Sequence, residues 1–415
     1  LKNILIGLDG MPYRLIKDFA AQQIMPNFQK LIESGTFTKM RSSLPEISSV
    51  AWSCIITGHN PGKHGVYGFT DIAPDSYRQT YNAYPALQSE PFWVRNSDDK
   101  HVILNVPATY PVKEMNGAHV AGFVAPNLDK AVHPPELLQK LKDIDYRVDV
   151  DAGLAHDSIP LFLTELDKVL DARLKAIDLL WDFCDWQTFM PVFTGTDRLG
   201  HFLWDAYEDP DHQYRSEFEE HFSKIDEMVG VLLERKNPED NVYLFSDHGF
   251  ESRKKEVYLN RLLEEEGYLN WEQSPPRSIR DIAAGSKAFC MDPGRIYLND
   301  DRFPEPAVTE QNRDKIINEL QQLFSTLTCE GEKVIKKVYN REQIYEGDCF
   351  RRAPDLVLLC ESGYSLRGTV KKQKVFGEEL FTGQHTYADA FFLSEKPADI
   401  PDGFSVENVL AVINN

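Results

Sequence analysis

The chain has 415 residues, 42% hydrophobic and 11% aromatic, enough to bury a large core. Its formal charge of −20 and pI near 5.0 oppose nucleic-acid backbones and anionic membrane surfaces, so neither a nucleic-acid polymer nor a membrane is an expected partner. A small anionic substrate needs a local positive centre on such a surface, and bound metal ions would supply one.

In chain order, residues 2–8 form a short Ile- and Leu-rich run that ends in Asp9-Gly10, the pattern of a buried parallel strand with a polar residue at its carboxyl end. Residues 26–33 carry Phe28, Leu31 and Ile32 at helical spacing and close on Gly35. Residues 44–68 read as a turn, a short helix and a second turn. Pro45 and Ser48-Ser49 mark the helix start, with serine as the expected N-cap, and Gly58 with Asn60-Pro61-Gly62 marks its end. A serine there lies beside unpaired backbone N–H groups and the positive end of the helix dipole, where an oxyanion is welcome.

Residues 101–106 and 119–123 are strand-like, with a Pro-rich turn between them, and residues 134–141 read as a short helix. Residues 159–183 form a long amphipathic helix, with Leu163, Leu166, Leu170, Leu174, Ile177 and Leu180 at three- and four-residue steps. Residues 188–193 form a strand leading to Asp197, residues 218–234 a helix, and residues 241–245 a strand ending in Asp247-His248-Gly249. The charged stretch 251–287 reads as an inserted cap segment. Residues 294–298 and 354–360 are strands, 314–327 a helix, 391–393 a last strand and 406–413 a closing helix. Strands and helices alternate, so the class is α/β with a mainly parallel central sheet and helices on both faces, in one domain over residues 1–415.

In such sheets ligands gather beyond the carboxyl ends of the strands. Asp9, Asp197 and Asp247-His248 each follow an apolar run, directly or within a few residues. Asp197 and His201 are four apart and share a face if helical. His385 falls in a loop. One serine, three aspartates and three histidines are the parts of a two-metal phosphoester site, and mixed carboxylate and imidazole ligands suit zinc, with manganese or iron as alternatives. Each residue alone reads equally as a capped helix, a polar turn or a surface pair; the combination points to chemistry.

With these residues in place, the chain resembles the alkaline phosphatase superfamily, in the branch of type I phosphodiesterases and nucleotide pyrophosphatases. The matching pieces are ILIGLDGM, the serine stretch through TGHNPGKHGVYGF, NVPATYP, GTDRLGH, FSDHGF, PDLVLL and GQH. The resemblance implies an alkaline phosphatase-like core and two divalent ions, one held by Asp9, Asp247 and His248 beside the serine hydroxyl, the other by Asp197, His201 and His385. The family nucleophile lies nine residues before the Thr-Gly pair that ends its helix, which implies Ser48, with Ser49 as the alternative. Nucleotide pyrophosphatases of this kind carry Thr at that position and Asn three residues later; this chain has Ser48 and Ala51. Asn60, Lys63 and His64 are the candidates for holding a substrate anion.

The implied reaction is hydrolysis of small phosphodiesters or nucleotide pyrophosphates through a phosphoserine. The alternatives are a phosphomonoesterase, a phosphonate hydrolase, a phosphoryl transferase or a binding protein that has kept the fold. Segments 71–96, 148–159 and 251–287 lie outside the metal motifs and are expected to choose the substrate, with Tyr77, Tyr81 and Tyr84 as possible stacking groups. The six cysteines are scattered without a CxxC, which suggests free thiols, and the chain starts directly on a strand; a cytoplasmic location is the expectation, with a removed leader as the alternative because the sequence does not begin with Met.

Overall fold

The apolar run Asn3–Leu8 occupies the middle of an eight-stranded sheet in a computed structural model that describes residues 1–378 and 380–414. The sheet order is Thr36–Met40, Ala390–Ser394, Asn241–Phe245, Asn3–Leu8, Thr188–Phe193, His101–Val106, Gly117–Ala121, Val132–His133. The five inner strands from Asn241–Phe245 to Gly117–Ala121 run parallel. The two on one edge and Val132–His133 on the other pair antiparallel.

Alternate side chains of the central strand enter different cores, as the pleat requires. Ile4, Ile6 and Leu8 join one cluster with Phe19, Phe162, Phe202 and Phe222, from helices Tyr13–Ala21, Ile159–Trp181, Gly195–Glu208 and Arg215–Arg235. Leu5 faces the other cluster with Val50, Trp52 and Ile55 of helix Ser48–Thr57 and Val409 of helix Val409–Ile413. Helices thus cover both faces, which is why the inner strands are apolar on both sides.

The expected elements appear with ends shifted by a few residues. The helix Tyr13–Ala21 was not foreseen: Pro12 precedes it without a side-chain cap and its first turn holds no acid, so the usual start signals are missing. Ser48 is not an N-cap. Ile47 takes that place with extended backbone, Ser48 is the first helical residue, and neither side chain caps the helix. Gly58 does end it, with φ 66°, where a left-handed residue is needed.

Residues 251–287 contribute to a second layer that also includes residues 288–367. Strands Ala288–Met291, Arg295–Leu298, Leu356–Cys360 and Ile335–Asn340 form a four-stranded antiparallel sheet. It has its own core, with Phe289, Ile296, Leu320, Phe324 and Leu358 packed against helices Leu259–Glu265 and Glu310–Ser325. Asp355, fully buried ahead of Leu356–Cys360, receives Arg313 at 2.6 Å, Arg341 at 3.2 Å and Arg302. It also accepts the Leu298 N–H at 2.7 Å. No helix among the described residues is long and apolar enough to cross a membrane, and all six cysteines are free.

Burial pushes the Asp355 carboxyl up, but Arg302, Arg341 and Arg313 outweigh it and hold the group below its ordinary value. Its contribution to stability is therefore complete above about pH 4, the unfolded value, and is lost as pH falls through the lower native one. Asp355→Ala removes the buried carboxylate that three guanidinium groups share, and urea unfolding at neutral pH should show a loss of about 3–5 kcal/mol that shrinks on acidification.

Candidate active site

Asp9 leaves the end of strand Asn3–Leu8 and Asp247-His248 follow strand Asn241–Phe245, one strand over. Their ligand atoms lie within 4.8 Å of one another. Ser48, at the start of its helix, donates its hydroxyl to Asp9 Oδ1 at 3.1 Å and lies 3.2 Å from His248 Nε2. Trp52, one turn further along the same face, donates Nε1–H to Asp9 Oδ2 at 2.9 Å. The Gly10 N–H donates to Asp247 Oδ1 at 3.0 Å, while Asp247 Oδ2 is buried with no hydrogen-bond partner. His248 Nδ1 faces the Gly249 carbonyl at 3.1 Å, which turns the Nε2 lone pair toward the aspartates.

A second triad stands beside the first. Asp197 and His201 lie one turn apart on helix Gly195–Glu208, and their ligand atoms and that of His385 also meet within 4.8 Å. His385 Nε2 is 3.2 Å from Asp197 Oδ1 and 3.0 Å from His201 Nε2. Its Nδ1–H donates to the Glu46 carbonyl at 3.0 Å. His385 is not in a loop: strand Gly383–Thr386 pairs antiparallel with Gly249–Ser252, opposite Phe250. Glycine is required for this docking, because a Cβ on Gly383 would lie 2.2 Å from the Gly200 carbonyl oxygen. The His248 and His385 rings stack at 3.7 Å between centroids, so the two triads share a wall.

The charges are crowded. Burial, then the neighbouring Asp247 and Asp197, raises Asp9 well above the ordinary carboxylate range, and burial takes Asp247 to about 7. Asp197 goes the other way: burial pushes it up, but His201, the hydrogen bond from His385 and Arg198 hold it far down. Burial lowers His201 to about 3 and holds His248 well below the ordinary imidazole value. For His385 burial is outweighed by Asp197, and its value rises. Buried carboxylates that repel one another, the uncharged imidazoles of His201 and His248 and an orphaned carboxylate oxygen form a donor set that suits a divalent cation.

A family model for type I phosphodiesterase / nucleotide pyrophosphatase matches residues 3–388. The chain belongs to this family. It is accordingly a phosphoric ester hydrolase of the alkaline phosphatase superfamily. No curated protein matches it in sequence. Among solved structures it resembles phosphonoacetate hydrolase from Sinorhizobium meliloti 1021 in complex with phosphonoformate, with TM-score 0.66 and 14% identity over 100% of this chain and 95% of that one. It also resembles murine ectonucleotide pyrophosphatase / phosphodiesterase 5, with TM-score 0.56 and 14% identity over 100% and 94%. An inactive form of the same murine protein in complex with AMP gives 0.57 and 14% over 99% and 93%. At these identities the likeness is one of fold.

Not every expected site residue of this family member joins the cluster. Ser49 is buried, and its hydroxyl makes no hydrogen bond. Asn60 caps the short helix Pro61–His64 and accepts the N–H groups of Gly62 and Glu346. Lys63 pairs with Glu346 at 3.2 Å, and buried His64 lies 3.3 Å from Cys54 Sγ. These residues follow the end of helix Ser48–Thr57, and among the described residues their hydrogen bonds and ion pair lead to Gly62, Glu346 and Cys54 rather than to the triads. Tyr77 stacks on Phe303 and Tyr84 packs in a core, while Tyr81 is exposed.

Two residues that matter were not singled out from sequence. Trp52 sits in the serine stretch, where indole reads as packing. Arg198, inside GTDRLGH, bonds Asp197 Oδ2 at 3.1 Å and grips Asp149 Oδ2 with two nitrogens at 2.6 and 3.0 Å. Its guanidinium lies 4.5 Å above the Phe123 ring. Arg198→Met removes the ion-pair partner of Asp149 and one of those of Asp197 and should cost about 3 kcal/mol in urea unfolding, with Arg198→Lys losing less because it keeps the charge without the fork.

Proposed function

We propose that the protein hydrolyses small phosphodiesters or nucleotide pyrophosphates at a two-metal site, with Ser48 as nucleophile. The single observation that carries this reading is the place of the Ser48 hydroxyl, held between Asp9 and His248 at the edge of one triad and next to the other. Asp9, Asp247 and His248 would hold one divalent ion together with Ser48, and Asp197, His201 and His385 the other. Zinc suits this mixture of oxygen and nitrogen ligands best. When bound, the ions lower the pKa of the oxygens they hold and offset charge on the phosphoryl group.

The chain's own residues set the course of the reaction. Ser48 Oγ, its proton passing to solvent, forms a bond to phosphorus as the bond to the leaving oxygen breaks on the opposite side and that oxygen takes the electron pair. Trp52 and the Gly10 N–H keep the Asp9 and Asp247 carboxylates in place through this step. Glu46, through its carbonyl, fixes His385 in the tautomer whose Nε2 lone pair points inward. Water then cleaves the phosphoserine, leaving the phosphate product and a restored Ser48 hydroxyl. A phosphonate hydrolase is the second reading, favoured by the closer superposition on phosphonoacetate hydrolase, 0.66 against 0.56. The substrate partner is a small anion in either case, and the free cysteines favour a reducing, cytoplasmic setting.

Ser48→Ala should lower kcat by at least about a thousandfold on bis-4-nitrophenyl phosphate and abolish the trapped phosphoenzyme, whereas Ser49→Ala should stay within about threefold. The reverse ranking would move the nucleophile to Ser49. Metal analysis of purified protein should find two ions per chain; chelation should remove activity and added zinc restore it. Asp9→Asn and Asp197→Asn should each lose about one ion. A fully active, metal-free protein would sink the reading.

A further inference from the structure

A groove of about 90 Å³ lies against the second triad. His201, His385 and Glu46 line it from the core, and Asp292, Ser365 and Arg367 from the second layer. Arg367 ends the strand Tyr364–Arg367, which pairs in parallel with Lys255–Tyr258. Its Nε–H donates to Glu256 Oε1 at 2.9 Å. That buried carboxylate also receives Arg253 at 2.7 Å and the Tyr258 hydroxyl at 3.0 Å. Two guanidinium groups, those of Arg253 and Arg367, converge on this one carboxylate. Glu256 holds Arg367 by its Nε alone, and among the described residues the terminal guanidinium nitrogens of Arg367 make no hydrogen bond. His201, whose basicity burial lowers first, is lowered further by the Arg367 charge.

The position has a chemical meaning within the phosphoesterase reading, on which this inference rests. If Ser48 attacks from the first triad, in-line displacement sends the leaving group out past Asp197, His201 and His385, into this groove. A groove of about 90 Å³ is small beside the several hundred Å³ of a drug-sized ligand pocket and is of a size for a carboxylate or phosphoryl group. The planar fork of an arginine matches either anion in two-pronged fashion.

We propose that Arg367 is a specificity-determining residue that receives a leaving group carrying its own anionic charge. The substrate class is then a phosphate ester or anhydride with a second anion on the departing side. The P–O bond breaks, the departing oxygen takes the electron pair, and Arg367 engages the carboxylate or phosphoryl group attached to it.

The test compares three substrates on the zinc-loaded full chain. ATP, losing pyrophosphate, probes a phosphoryl group; phosphoglycolate, losing glycolate, probes a carboxylate; bis-4-nitrophenyl phosphate has an uncharged leaving arm. Arg367→Ala should raise KM about ten- to hundredfold on whichever charged substrate the wild type prefers, with the uncharged diester changed by less than about threefold. Arg367→Lys should recover part of the loss. The unchanged diester rate also shows that the variant is folded, and Arg367→Gln replaces Arg367→Ala if thermal melting shows that it is not. Equal losses on all three substrates, no loss on any, or a wild type that cleaves only the uncharged diester would overturn the role of Arg367 and leave the phosphoesterase reading standing. A zinc-loaded wild type inert toward all three would overturn that reading and this inference with it.

Discussion

Three buried carboxylates within reach of one another are the constraint around which this molecule is arranged. Asp9, Asp197 and Asp247 all sit at the carboxyl edge of the sheet with almost no exposure. Side by side in a dry environment they repel, and the protein itself brings one arginine, Arg198, against one of them. Burial of like charge at this density is costly unless protons or cations compensate it. The imidazoles do not bring that charge as a group, since burial keeps His201 and His248 neutral. A site of this kind stores an affinity for external cations, and the fold has to be stable enough to hold it open to them.

That stability comes from below the site. The five parallel strands carry apolar side chains into two cores, so the strand ends can present polar groups without weakening the sheet. The ring of Phe250 spreads beneath the histidines, 5.0 Å from His201 and 5.3 Å from His385 between centroids. Gly200 makes room for it, since a Cβ there would lie 2.8 Å from the Phe250 ring. Hydrogen bonds from the Gly10 N–H, the Trp52 indole and the Arg198 guanidinium then fix Asp247, Asp9 and Asp197 from outside. Little is left to move when substrate arrives, which is the condition for electrostatic preorganisation.

The second layer serves another purpose. Its core is separate from those beneath the triads, and it is tied together by Asp355 and its three arginines. Its strand Tyr364–Arg367 forms one wall of the space next to His201 and His385.

The sequence alone determined the α/β class, the inner strands and the residue types of both triads. Each depends on local pattern: apolar runs ending in Asp, a four-residue spacing on a helix, a Gly that stops one. It also placed Ser48 on a helix start, although the cap belongs to Ile47. Only the tertiary structure decided that His385 rides on a strand whose pairing with Gly249–Ser252 carries it to Asp197. The same holds for Asn60, Lys63 and His64, whose partners are Gly62, Glu346 and Cys54, and for strand Leu356–Cys360, whose apolar run fits either sheet and joins the second one. The physical reason is common to all of these. Periodicity reports which face of an element is buried, whereas the identity of the surface that buries it is set by contacts between residues hundreds of positions apart.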